Sequence, residues 1–176
     1  SEATKAEKTF HMTYDITITG NANSPGVNVK HNDVYKAPNA YKIIIGDEQE
    51  ILYTPGRMMV INKTLNFVHY SEDTATTVNP ISNTMFAAFI NLADNAVSID
   101  KDIVNGNIVY KLNFGANYVY EYAKFTFNNQ GIPSKIYCKF NQNQENNSFY
   151  EMSIDYTKWE YSFPIETGFP SIDKYI

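Results

Sequence analysis

The sequence predicts a mainly β fold in which long amphipathic strands surround an apolar interior. Three observations support this class: strict alternation of apolar and polar residues, turn-forming dipeptides between alternating segments, and one stretch of helical periodicity. At 176 residues the chain is long enough to bury a sizeable core, so we expect a single domain over residues 1–176.

The first predicted strand covers residues 9–19. Apolar and polar side chains alternate there without a break, which is typical of a half-buried strand. Its apolar side carries Phe10, Met12, Tyr14, Ile16 and Ile18. The turn-rich segment 20–26 leads into a second extended segment, 27–35, and the two together predict a hairpin.

Further strands are predicted as an antiparallel meander. Its turns are expected at Gly46 with Asp47, at Pro55 with Gly56, and at Asn105 with Gly106. The strands are expected near residues 41–45, 51–53, 58–61, 65–70, 97–104, 108–114, 118–127, 132–140, 148–158 and 161–163. Segment 118–127 has apolar side chains at both parities, so we expect both of its faces to be buried, as in a sheet curled around an interior.

One helix is predicted over residues 79–92. Asn79 and Pro80 provide an N-cap and a proline in the first turn. The apolar stripe that follows is wide, because two adjacent apolar pairs recur one turn apart. These pairs are Met85 with Phe86 and Phe89 with Ile90. Such a helix must be covered by a large apolar surface.

Composition excludes several functional classes. The net charge is −5 and Arg57 is the only arginine, so a nucleic-acid partner is not expected. The longest apolar run is residues 85–90, too short to span a bilayer, so we do not expect an integral membrane protein. Cys138 is the only cysteine, and its place in an alternating strand predicts a buried, structural thiol.

Candidate catalytic groups are sparse. His11, His31 and His69 have no metal-ligand spacing, and we expect them in surface or edge roles. Residues 100–106 lack the ligand spacing of a calcium loop and predict a charged hairpin instead. We therefore expect no enzyme activity, no metal and no cofactor.

The acidic group Asp47, Glu48 and Glu50 lies in a predicted turn. Paired carboxylates could act in glycoside hydrolysis, although turns are commonly acidic without any catalytic role. A hydrolase therefore remains the weakest of the functional alternatives.

The excess of apolar and aromatic residues admits two interpretations. The hydrophobic share is 43%, with 14 Tyr and 11 Phe, and methionines lie among the aromatics. Flexible thioethers beside rings suit irregular acyl chains, but such stripes also form ordinary packed cores. Composition alone favours the packed core over a cavity.

The order of motifs resembles the LolA family of periplasmic outer-membrane lipoprotein carriers. Segment 34–41 (VYKAPNAY) is similar to the family's strand, basic-proline turn and strand, and segment 50–61 (EILYTPGRMMVI) to its apolar strand, turn and apolar strand. Segment 123–133 (AKFTFNNQGIP) resembles its late strand and glycine turn, and the helix over 79–92 its internal helix.

The resemblance implies a half-open antiparallel β-barrel closed by helices, with a cavity for lipoprotein acyl chains or another lipid. It implies a monomeric, exported, periplasmic carrier that meets membrane donor and acceptor proteins, with the helix over 79–92 as its lid. Residues 1–8 contain no signal-peptide core, so a leader would already be removed, and a lipid anchor on a missing amino terminus stays open. The alternative is a non-enzymatic interaction or scaffold protein on the same fold with a filled core.

The apolar candidates for the cavity and its lid are Phe10, Met12, Tyr14, Ile16, Tyr41, Ile43, Met59, Met85, Phe86, Phe89, Ile90 and Trp159. The family's arginine before the proline is replaced here by Ala37. Lys36 beside it is the candidate for closure or gating.

Overall fold

A computed structural model describes residues 9–21, 26–37, 40–72, 85–142 and 148–161. The strands are β1 (Phe10–Gly20), β2 (Gly26–Ala37), β3 (Ala40–Ile45), β4 (Gln49–Thr54), β5 (Arg57–Asn62), β6 (Phe67–Glu72), β7 (Ser98–Val104), β8 (Asn107–Asn113), β9 (Tyr120–Phe127), β10 (Pro133–Phe140) and β11 (Phe149–Tyr161). The described helix is α1 (Met85–Ala93), between β6 and β7.

All eleven described strands belong to one sheet with the order β6-β5-β4-β3-β2-β1-β11-β10-β9-β8-β7. The sheet is antiparallel and open, with β6 and β7 as its end strands, and is not a closed barrel. The predicted mainly β class and the unclosed sheet are therefore confirmed, whereas the LolA-like details of the fold stay a prediction.

The chain divides into two compact units, each described by itself, and the predicted single domain stays a prediction. Among described residues, the first unit comprises 9–14, 31–37, 40–72 and 157–161, and the second comprises 15–21, 26–30, 85–142 and 148–156. Strands β1, β2 and β11 contribute residues to both.

In the first unit, β2 to β6 form successive antiparallel pairs. The predicted turns at Gly46 and at Pro55 with Gly56 connect β3 to β4 and β4 to β5. Because the connections are short, each strand pairs with its neighbour in a fixed register. Register in turn decides which side chains share a face of the sheet.

The second unit has a core on one face of β8, β9 and β10. Its buried residues are Leu112, Phe114, Ala123, Phe125, Ile136 and Cys138. The predicted hairpin at Asn105 and Gly106 is confirmed, because both residues have positive φ (51° and 79°), as a tight two-residue hairpin turn requires.

A bulge in β9 corrects the expectation that both faces of segment 118–127 are buried. Lys139 lies opposite Tyr122 and Phe140 opposite Tyr120, so Glu121 is an extra residue on β9. The extra residue brings Tyr120 to the core side with Phe125, while Glu121 and Lys124 are exposed. One face of the strand is therefore exposed to solvent at these positions.

Helix α1 overlaps the predicted helix over 79–92 and ends one residue beyond it, at Ala93. The predicted cap at Asn79 and Pro80 lies outside the described residues. Phe89, Leu92 and Ala93 pack against the core of the second unit. Within the described residues, no helix has the length and apolar character needed to cross a membrane.

Candidate functional site

The strand registers of the first unit place side chains in three rows across one face of the sheet. The first row is Asn32, Ile45, Gln49, Asn62 and Phe67; the second is Val34, Ile43, Ile51, Val60 and His69; the third is Lys36, Tyr41, Tyr53, Met58 and Ser71. We call this surface the Tyr41 face and the reverse side, which carries Leu52 and Met59, the Met59 face.

The second row is the apolar centre of the Tyr41 face. Its first four members are β-branched and lie directly opposite one another across four strands, as cross-strand neighbours that pack well. Val34 is buried, while Ile43, Ile51 and Val60 are half-buried. The row therefore offers apolar surface that is only partly covered.

The third row is aromatic at its centre. The rings of Tyr41 and Tyr53 are stacked with centroids 4.8 Å apart. Met58 follows on β5, opposite Tyr53. Burial and the neighbouring Tyr53 hydroxyl raise the pKa of Tyr41, so the phenol stays neutral at physiological pH.

Strand β1 contributes to the same face. His11 stacks on Tyr35 and contacts Asp33, both on the Met59 face. Because side chains alternate along a strand, Phe10 and Met12 project to the Tyr41 face, and both are buried. The half-buried Trp159 of β11 lies beside Phe10, with ring centroids 6.4 Å apart.

The predicted cavity residues are thus only partly brought together. Phe10, Met12, Tyr41 and Ile43 share the Tyr41 face, and Tyr14 is a half-buried residue of the same strand as Phe10. Met59 is almost fully buried, but it lies opposite Leu52 on the reverse face. Alternation explains the difference, since Met58 rather than Met59 shares the side of Tyr53.

The remaining candidates belong to the second unit. Ile16 is half-buried, and Ile90 is 44% exposed. The rings of Phe89 and Phe125 meet edge to face, with centroids 5.0 Å apart, and Phe89 packs against that unit's core. Met85 and Phe86 lie in α1, but their side chains are outside the described structure. The role of the helix as a lid stays a prediction.

The Met59 face carries the acidic groups of these strands. Glu50 is bound by Lys63 at 2.6 Å and lies 3.7 Å from Lys42. Burial alone would raise the pKa of Glu50, but the hydrogen bond from Lys63 and the charges of both lysines outweigh it, so the pKa is lowered. A carboxylate held ionised between two ammonium groups is a structural ion pair and a poor general acid.

His11 is buried, which overturns its predicted surface or edge role. Its Nε2 lies 2.9 Å from Asp33 and its Nδ1 3.5 Å from Glu160. The hydrogen bond from Lys158 and then that from His11 lower the pKa of Glu160. The partners explain the burial, because a polar ring can be buried when both nitrogens are engaged. His31 and His69 are exposed, as predicted.

Metal binding, carboxylate catalysis and thiol catalysis find little support in the described residues. No group of three or more His, Cys, Asp or Glu within them could hold a metal ion. Asp47 and Glu48 are exposed in the β3–β4 turn, where the sequence predicts an acidic turn. Cys138 is buried as predicted, and burial raises the pKa of its thiol to about 12, so it is a weak nucleophile.

Sequence reasoning missed several members of the Tyr41 face, namely Val34, Ile51, Tyr53 and Val60. The signal that could have found them is the pair of short turns at Gly46 and at Pro55 with Gly56. Once both turn lengths are fixed, the register of β3, β4 and β5 follows, and parity assigns each residue to a face.

Comparison with solved structures shows the fold alone. An uncharacterized conserved protein from Thermus thermophilus is similar at a TM-score of 0.50 and 7% identity, over 94% of this chain and 88% of that chain. The structure of the CwlD amidase from Clostridioides difficile in complex with the GerS lipoprotein gives a TM-score of 0.37 at 15% identity, covering 86% of both chains. This second likeness is too weak to carry an argument. No family model and no curated protein sequence matches the chain.

Proposed function

We propose that the protein binds acyl chains of lipoproteins or other lipids on the Tyr41 face and transfers them without a covalent step. The observation that carries the proposal is the continuous row Val34, Ile43, Ile51 and Val60, which is apolar across four strands and of which the last three side chains are only partly buried. Apolar surface of this kind gains roughly 0.8 kcal/mol for each CH₂ group that it removes from water.

The composition of the face suits a flexible apolar ligand. β-Branched side chains form its centre, two stacked tyrosines form one border, and Met58 adds a deformable thioether beside them. The polar residues Asn32, Gln49 and Asn62 mark the opposite border. An acyl chain placed between the second and third rows would contact apolar atoms on both sides.

The resemblance to the LolA family supports the biological setting of the proposal. By that resemblance, the protein would act outside the cytoplasmic membrane and receive its cargo from membrane proteins. Release of cargo requires a closed state that competes with the acyl chain, and the lid that the resemblance implies is the helix over 79–92. Lys36 remains the proposed gating residue in such a cycle.

Titration with an acylated peptide tests the proposal. Binding is monitored by native mass spectrometry and by the fluorescence of Trp159, the only tryptophan. The wild type should bind the acylated but not the unacylated peptide. Ile51→Gln should weaken binding by about tenfold or more, because it puts a polar group into the central row. Ile103→Gln, the same change at a site that is 68% exposed in the second unit, is the matched control and should bind normally. A wild-type protein indifferent to every acylated peptide and lipid would refute the proposal.

One observation favours the alternative of an interaction protein. Every residue of the end strand β7 is exposed, including Ile99 at 48% and Ile103 at 68%. An exposed strand at the end of a sheet can accept a strand from another protein. In that case an apolar dye would find no site on the protein, and a partner would protect the β7 amides from hydrogen exchange.

A further inference from the structure

Lys36 lies at the border of the Tyr41 face. It is directly opposite Tyr41 at the end of the third row, and it is half-buried. Among the described residues no acidic side chain pairs with it. Other lysines of the first unit differ, since Lys42 and Lys63 contact Glu50 and Lys158 contacts Glu160. Lys36 is therefore a cation beside apolar surface.

Carboxylates are segregated away from this lysine. In β2–β6 as described, the acidic residues are Asp33, Glu50 and Glu72, and the strand registers place all three on the Met59 face. The residue directly opposite Lys36 is Tyr41, whose phenol stays neutral at physiological pH, and Tyr53 follows it in the same row. Burial lowers the pKa of Lys36, because an ammonium group loses hydration when it is partly buried.

We infer that Lys36 binds the carboxylate of a fatty acid whose hydrocarbon chain lies along the Tyr41 face. This inference rests on the proposed function and narrows its ligand from acyl chains in general to anionic single-chain amphiphiles. An ammonium group at one end of a row of apolar side chains is complementary to a molecule with one negative charge and an apolar tail.

The dimensions agree with such a ligand. Neighbouring strands lie about 4.8 Å apart, so the path from β2 to β5 is about 14 Å long. With the carboxylate at Lys36, the tail would pass between the aromatic third row and the β-branched second row towards Met58 and Val60. The head group would supply a counter-charge that no described residue provides for Lys36, and the tail would cover the half-buried side chains.

A comparison of ligands with one tail and different head groups tests the inference. Dodecanoate, methyl dodecanoate and dodecanol are titrated into the full chain at pH 7.5, below micelle-forming concentrations. The wild type should prefer dodecanoate by about tenfold, because a charge-assisted hydrogen bond forms with the carboxylate alone. Lys36→Gln should bind all three ligands about equally, and Lys36→Arg should retain the preference.

The control is Lys124→Gln, which removes one positive charge at an exposed position of the second unit and should leave the preference unchanged. The inference is overturned if the wild type does not distinguish the three ligands, or if Lys36→Gln still prefers dodecanoate. In both cases the proposed function survives, because acyl chains are still bound. If none of the three ligands binds to the wild type, the proposed function fails and the inference fails with it. Should Lys36→Gln not fold, the wild-type preference and its retention in Lys36→Arg decide the question.

Discussion

Tyr41 lies directly opposite Tyr53 across β3 and β4, with ring centroids 4.8 Å apart and ring planes within 9° of parallel. The stack joins two strands of the Tyr41 face and borders its apolar centre. It links the stability of these strands to the surface proposed for ligand binding.

The stack should appear as an energetic coupling between the two residues. Tyr41→Leu, Tyr53→Leu and the double variant should give a coupling free energy of about 0.5–1.5 kcal/mol in urea unfolding. The control cycle pairs Tyr53 with Tyr35, which lies on the Met59 face. That cycle should be additive within about 0.5 kcal/mol. Equal coupling in both cycles would contradict a direct ring contact.

The ion pair of Glu50 should make part of the stability dependent on pH. The folded-state pKa of Glu50 is lowered, so its contribution is present above the unfolded value of about 4.3 and is lost as pH falls through the folded pKa. Lys63→Gln should therefore reduce the free energy of unfolding by about 1 kcal/mol or less at pH 7 and by much less at pH 3.

Urea unfolding at the two pH values measures this difference. The control is Glu50→Gln, a background in which Lys63→Gln should have little further effect at pH 7. A Lys63→Gln effect of the same size in both backgrounds would show that the stabilisation does not pass through Glu50.

The sequence predicts the β class because its strongest signals are local. Alternation in residues 9–19 and the turns at Pro55 with Gly56 and at Asn105 with Gly106 depend on neighbouring residues alone, and the structure contains each of them. Short turns also fix pairing between consecutive strands. The sequence therefore contains enough information for the hairpins of both units.

Face assignments are harder to predict because one extra residue reverses them. The bulge at Glu121 places Tyr120 on the core side, although strict alternation from Phe125 puts it on the other. The burial of His11 depends on Asp33, which is 22 residues away, and on Glu160 near the end of the chain. Such pairs arise from strand order, which local periodicity does not encode.

Cys138 should be chemically silent in the folded protein. Burial raises its pKa to about 12, and the side chain is 1% exposed, so a thiol reagent at pH 8 should label it only on unfolding. Between pH 8.5 and pH 10 the unfolded thiol ionises while the folded thiol does not. The free energy of unfolding should fall there by up to about 1.4 kcal/mol per pH unit.

Cys138→Ala removes the contribution of the thiol and should reduce the slope between pH 8 and pH 9, even if the variant is less stable overall. The measurement is urea unfolding at pH 8, 8.5 and 9, where tyrosines, with an unfolded pKa of about 10, stay largely protonated in both states. Rapid labelling of the native wild type would disprove the buried state of the thiol.

Asn141 holds a bend of the chain through hydrogen bonds that an apolar residue cannot replace. The side chain is 6% exposed, and its Nδ2 donates to the carbonyl of Ala116 at 2.6 Å and to that of Tyr118 at 3.2 Å. Asn141→Leu removes both hydrogen bonds from a buried position and should cost about 2–3 kcal/mol of unfolding free energy. Asn141→Asp should cost at least as much at pH 7, because a carboxylate would face two carbonyl oxygens, and lowering the pH to 4 should recover part of the loss.

The control is Gln142→Leu, a change at the exposed neighbouring residue, which should alter the free energy of unfolding by less than about 1 kcal/mol. If Asn141→Leu were as stable as the wild type, these hydrogen bonds would have no net effect on stability.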